Sequence, residues 1–128
     1  MNYYLDSSAL IKLIFEEAES KALHKTLGGN SYTSVIGRLE VRRAIERIDP
    51  KREAFGLDRL NEFEMVALTE TTLALAENFR GVPSLRSLDA IHIASAMSVR
   101  QEIGGLITYD KQMANAATVL GLAVLSPM

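Results

Sequence analysis

Apolar positions follow two rhythms along this chain. Runs of strand length lie at Asn2 to Leu5, Ser31 to Thr33, Glu64 to Leu68, Leu106 to Tyr109 and Leu122 to Leu125, and the stretches between them repeat with helical spacing. Strands alternating with helices, over crossovers long enough to hold those helices, predict an α/β fold with a mostly parallel sheet covered on both faces. Helix punctuation agrees. Ser7 or Ser8 is placed to cap a helix through Phe15, Gly28-Gly29-Asn30 ends the next, and Ser34 caps a long one reaching Ile48. Asp49-Pro50 reads as a cap followed by a first-turn proline, opening a helix to about Asn61. Another helix spans Thr71 to Phe79, and Arg80 to Ser84 is a loop. Ser87 caps a helix from Leu88 to about Arg100. Its Ile91, Ile93, Ala94, Ala96, Met97 and Val99 cover most of the circumference, which predicts deep burial. A last helix, Lys111 to Leu120, ends at Gly121.

Length and composition narrow the class. The 128 residues suit one domain, 1–128, and no internal repeat or linker divides them. Apolar residues make up 48% and charged ones 23%, the balance of a soluble globular protein. The absence of cysteine excludes disulfides, thiolate zinc sites and cysteine nucleophiles. No apolar run has the roughly 18 to 20 residues of a membrane span, and the N-terminus lacks a secretory signal, so the expectation is a cytoplasmic protein with no membrane association. The net charge of −2 gives no overt nucleic-acid signature. Setting four of the 16 acids aside for a metal site leaves 12 against 14 basic residues, and the remaining surface then leans positive.

Four carboxylates stand where the pattern does not ask for them. Asp6 follows the first strand and Asp110 the fourth, at carboxyl ends where open α/β sheets bind ligands. Each taken singly is equally well a helix N-cap. Glu40 enters the stripe formed by Ile36, Ala44 and Ile48, and a carboxylate buried there calls for a nearby cation, either a metal or Arg43 and Arg47 on adjacent turns. Asp89 lies in the first turn of the apolar helix, a position that favours negative charge. His92, three residues on, shares its side of the helix, where it either orients that carboxylate, contacts substrate or serves as a satisfied core residue. Four converging acids repel one another unless a multivalent cation sits among them. Oxygen ligands without cysteine suit magnesium or manganese, and such sites carry phosphoryl chemistry.

These residues sit in four segments, "YLDSSALIKL", "YTSVIGRLEV", "LRSLDAIHIASA" and "LITYDKQMANAA", whose order and spacing resemble the PIN-domain ribonucleases, and within them the VapC-type toxins of toxin–antitoxin pairs. The resemblance covers nearly the whole chain; Met113 stands where the family often has an aromatic residue. It implies an α/β/α sandwich with a parallel sheet of about five strands in the order 3-2-1-4-5, placing Asp6 beside Asp110. By the same resemblance Asp6, Glu40, Asp89 and Asp110 are catalytic and hold Mg²⁺ or Mn²⁺, assisted by Ser7 or Ser8. The implied reaction is metal-dependent endonucleolytic cleavage of RNA by activated water, leaving a 5′-phosphate and a 3′-hydroxyl. A VapB-type antitoxin partner and a homodimer follow from the resemblance alone. Lys12, Arg86, Arg43 and Arg47 are the candidate phosphate contacts, with Ser7, Ser8 and His92 as further substrate-side candidates.

Other readings fare worse. A haloacid-dehalogenase-type site wants an aspartate where Ser8 stands, no Gly-rich phosphate loop is present, and His24 lies in a helix remote from His92. The non-enzymatic alternative is an inactive PIN-fold interaction module. Ile11, Ile14, Phe15 and Leu23 exceed what one helix face buries, and either a partner or the protein's own core covers them.

Overall fold

The computed structural model describes residues 1–128. Its strands are β1 (Tyr3–Leu5), β2 (Ser31–Ser34), β3 (Glu64–Val66), β4 (Leu106–Ile107) and β5 (Val124–Leu125). The helices are α1 (Ser7–Ile14), α2 (Ser20–Thr26), α3 (Val35–Ile48), α4 (Glu53–Leu60), α5 (Glu70–Glu77), α6 (Ser87–Ser98) and α7 (Lys111–Val119). The strands form one sheet in the order β3-β2-β1-β4-β5, with every neighbouring pair parallel. The chain therefore builds outward from β1 on one side, then crosses back to start again on the other. The strand order reverses between β1 and β4, and the crevice outside their carboxyl ends is where such sheets bind ligands.

Side-chain alternation along these two central strands separates the two layers of the core. Leu5 and Ile107, paired across the sheet, face Ala9, Leu10, Leu13 and Ile14 of α1, Leu23 of α2, Val41 and Ile45 of α3 and Leu60 of α4. Tyr4 and Leu106, the preceding pair, face Ile93 and Ala96 of α6 and Met113, Ala116 and Ala117 of α7. Each fully buried leucine or isoleucine contributes about 1.5–3 kcal/mol through removal from water. Ile14 and Leu23 are core residues, and Ile11 and Phe15 pack against the same cluster, so the protein's own core accounts for all four. Met113 is likewise fully enclosed. No helix is long and apolar enough to cross a membrane.

Several boundaries differ from the sequence expectation, each for a local reason. The cap of α1 is Asp6 rather than Ser7 or Ser8, because its carboxylate accepts from the Ala9 amide at 3.1 Å. At α6 no side chain caps the helix; Ser87 is already inside it and Arg86 holds the cap position. The segment after Asp49 breaks into a tight turn, Pro50–Arg52, before α4, since Asp49 accepts from the Lys51 amide and the Arg52 guanidinium reaches the Ile14 carbonyl at the end of α1. On α3 the buried face is Gly37, Val41, Ala44 and Ile45, whereas Ile48 is 54% exposed. Glu40 thus stands at the margin of that face, not within an apolar stripe.

Candidate functional site

β1 and β4 run side by side and both end where α-helices begin, so the residues just past them share one edge. Asp6 is 2% exposed. Its Oδ1 accepts from Ser8 Oγ at 2.7 Å and from the Ala9 amide, and its Oδ2 accepts from Thr108 Oγ1 at 2.5 Å. Burial pushes the Asp6 carboxyl above the usual carboxylate range, opposed by the Ser8 and Thr108 hydroxyls, the charge of His92 and the Ala9 amide.

Asp110 begins α7, with Oδ1 accepting from the Gln112 and Met113 amides at 2.9 and 3.1 Å. Its Oδ2 faces the Arg86 guanidinium at 3.4 Å, and the same guanidinium donates to Asp89 Oδ2 at 3.2 Å. Glu40, from α3, accepts from His92 Nε2 at 2.6 Å. Burial works to raise the Glu40 carboxyl, but the His92 hydrogen bond and charge, the Ser7 hydroxyl and the charge of Arg86 outweigh it and hold the group low. Side-chain exposure rises from Asp89 at 14% to Glu40 at 28% and Asp110 at 30%, so the acids grade from buried Asp6 to a partly exposed outer side.

All four predicted carboxylates are on this edge, but two details differ. Thr108, not Asp110, is the immediate neighbour of Asp6, because β4 ends at Ile107 and two residues intervene before Asp110. Glu40 pairs with His92 of α6 rather than with Arg43 or Arg47, which are exposed on α3. Sequence reasoning missed Thr108. The signal was present in "ITYD", where a hydroxyl residue lies one step beyond the strand that pairs with β1. Thr108 Oγ1 also accepts from the Asp110 amide at 3.2 Å, so one hydroxyl serves both aspartates.

The remaining candidates divide. Ser8 donates to Asp6 and accepts from the Tyr109 amide at 2.9 Å, and Ser7 lies beside Glu40. Arg86 bridges two of the acids and His92 holds a third. Lys12 is engaged elsewhere: its ammonium meets Glu17 and Glu19, both at 2.8 Å, over the Tyr109 ring.

No three acidic or imidazole side chains close around a single point in this arrangement. A cation nevertheless spans Asp89 and Asp110, and it is the protein's own Arg86 guanidinium, on the exposed side of the acids. Carboxylate and hydroxyl oxygens are, in donor chemistry, of the kind a hard divalent cation takes.

The PIN domain family model matches residues 3–119. The chain belongs to the PIN domain family. Ribonuclease VapC35 of Mycobacterium tuberculosis is 39% identical over 133 residues, spanning 97% of this chain and 96% of that relative. Ribonuclease VapC47 of the same species is 35% identical over 134 residues with the same coverage. Among solved PIN-fold structures, a toxin–antitoxin complex from Klebsiella pneumoniae superimposes with a TM-score of 0.79 at 21% identity, covering 98% of both chains. Mycobacterium tuberculosis VapC20, described as a sarcin–ricin loop cleaving toxin, gives 0.72 at 14% identity, covering 98% of this chain and 99% of that one.

Proposed function

We propose that this PIN domain is the toxin of a VapBC-type toxin–antitoxin pair, a cytoplasmic endoribonuclease dependent on Mg²⁺ or Mn²⁺, with residues 1–128 acting as one nuclease unit. The observation that carries the reading is the gathering of Asp6, Glu40, Asp89 and Asp110 at the switch point between β1 and β4. Relatives named ribonucleases over nearly the full length support it.

Asp6, Asp89, Glu40 and Asp110 would hold the metal, which when bound supplies an activated water and neutralises charge developing at a scissile phosphate. Asp6 is fixed by three donors, so it presents a preorganised carboxylate without reorganisation during the reaction. Thr108 and Ser8 keep that carboxylate oriented. Arg86, with a 70% exposed side chain, would move from Asp89 and Asp110 to a backbone phosphate when RNA and metal arrive. Arg43 and Arg47 lie three and seven residues after Glu40, hence on the same side of α3, and would extend a basic track away from the acids.

An antitoxin of the VapB type and a second copy of this chain are the expected protein partners. Exposed Val35, Leu39, Leu68, Leu73 and Leu75 offer apolar surface for such contacts. The deciding experiment incubates purified protein and Asp6→Asn with 5′-labelled single-stranded RNA and Mn²⁺. Wild type should release labelled fragments ending in a 3′-hydroxyl and the variant should not. If wild type cuts nothing with either metal, and Asp6→Asn behaves identically when expressed in cells, the nuclease reading fails.

A further inference from the structure

His92 is the one buried titratable group whose two ring nitrogens both meet a protein partner from another element. Nε2 lies 2.6 Å from Glu40 Oε1 on α3, and Nδ1 lies 2.7 Å from the Tyr4 hydroxyl on β1. The imidazole itself is 1% exposed and stands edge-on to the Tyr4 ring, centroids 5.9 Å apart at 71°. We propose that His92 is a positioning residue: with Tyr4 behind it, it fixes the orientation in which Glu40 meets the metal and so couples β1, α3 and α6. The proposal deepens the nuclease reading above and rests on it.

Chemistry sets the polarity of this relay. Ionised Glu40 offers acceptors only, so Nε2 must carry a hydrogen and donate to it. The Tyr4 phenol is held protonated by burial, so its hydroxyl hydrogen is available to His92 Nδ1. The Ser95 hydroxyl, one turn after His92, has no hydrogen-bond partner although it is wholly enclosed.

A filler of this volume needs no such matching. A phenylalanine would occupy the space with no polar atoms to satisfy, whereas burying an imidazole demands partners on both nitrogens. The backbone also yields to the ring. Gly37, one turn before Glu40, interrupts α3 with the poorest common helix former, and a Cβ there would meet Thr33 Oγ1 and stand 3.3 Å from His92 Cε1. Connectivity adds the decisive point. Tyr4 precedes Asp6 by two residues, His92 follows Asp89 by three, and Glu40 is the third acid, so a single ring ties together the elements that bear three of the four carboxylates. Partners that orient a metal's ligands typically change metal affinity about 10–100-fold when removed.

The test is thermal unfolding across a Mn²⁺ titration, with EDTA as the reference, for wild type, His92→Phe, His92→Gln and Tyr4→Phe. Wild type should be stabilised by Mn²⁺; His92→Phe should need about 10–100-fold more Mn²⁺ for the half-maximal rise. His92→Gln should recover most of the loss, since its amide N–H reaches the place of Nε2, and Tyr4→Phe should fall between them. An unchanged Mn²⁺ midpoint in His92→Phe, or His92→Gln no better than His92→Phe, overturns the proposal while leaving the nuclease reading intact. No Mn²⁺ response in wild type removes both. Should His92→Phe fail to fold in EDTA, the ¹⁵N imidazole spectrum of the unsubstituted protein decides: hydrogen on Nε2 at neutral pH is required, and a bare Nε2 overturns the relay.

Discussion

Replacing Asp6 by asparagine should make the metal-free protein more stable while removing its response to metal. Asp6 is 2% exposed and its carboxyl is raised above its ordinary value of 3.8, with burial as the leading cause. Burying an ionised carboxylate costs several kcal/mol, and the Ser8, Ala9 and Thr108 donors, though bonds to a charged group, return only part of that. The raised carboxyl says that these donors do not fully offset burial. Asparagine keeps an oxygen for Ser8 and Ala9, lets the Thr108 hydroxyl rotate, and sheds the charge. The expected gain is ~1–2 kcal/mol at pH 7 without metal, a rise of about 3–10 °C in unfolding temperature for a domain of this size. The sign with pH follows from the native state binding the extra proton: the cost of the wild-type charge is absent below the unfolded value, grows between the unfolded and folded values, and is complete above the folded one. The difference between the two proteins should therefore shrink as pH falls toward about 4. Comparing them at each pH cancels Glu40, whose lowered carboxyl stabilises the fold above its unfolded value and loses that contribution as pH falls. Differential scanning calorimetry in EDTA between pH 4 and 8 measures all of this. An asparagine variant less stable than wild type at pH 7, or a gap that widens on acidification, refutes the reasoning.

Thr108→Val removes the hydroxyl that donates to Asp6 and accepts from the Asp110 amide, and should cost ~2–4 kcal/mol, read as a lower urea midpoint at unchanged slope. Gly37→Ala gains ~1 kcal/mol of helix propensity but forces Thr33 and the His92 ring to give way, so a net loss of ~1–3 kcal/mol is expected in the same assay. Arg86→Gln takes a competing cation away from Asp89 and Asp110; the Mn²⁺ concentration at half-maximal thermal shift should fall, by less than about fivefold, since exposed ion pairs are worth ~0.2–1 kcal/mol. An unchanged or higher Mn²⁺ midpoint in Arg86→Gln would show that the guanidinium does not compete for the site.

The alternation of strands and helices was legible in the sequence from local signals, and Asp6 and Asp110 stood out as carboxylates where short apolar runs end; the strand order, and the grouping of Glu40 and Asp89 with those two, came from the resemblance to the PIN-domain family. What escaped was relational. "ITYD" shows a strand and an acid, but the last residue of the strand depends on pairing with β1, and that register decides that Thr108 rather than Asp110 meets Asp6. Glu40 was read as buried in a stripe with Ile36, Ala44 and Ile48, since spacing on one helix cannot show where the neighbouring helices stop covering it. Ile48 lies beyond that cover, and Glu40 is held instead by His92, which follows it by 52 positions along the chain. Lys12 looked available by proximity to Asp6, yet the turn after α1 folds Glu17 and Glu19 back onto it. These misses share a cause. A side chain's own element can be inferred from its neighbours in sequence, but its partner is chosen by packing between elements, and polar side chains near a charged site are those for which the partner matters most. The same asymmetry makes Thr108 and His92, both wholly buried and both bonded to a proposed ligand, the residues by which the site's geometry is most sharply tested.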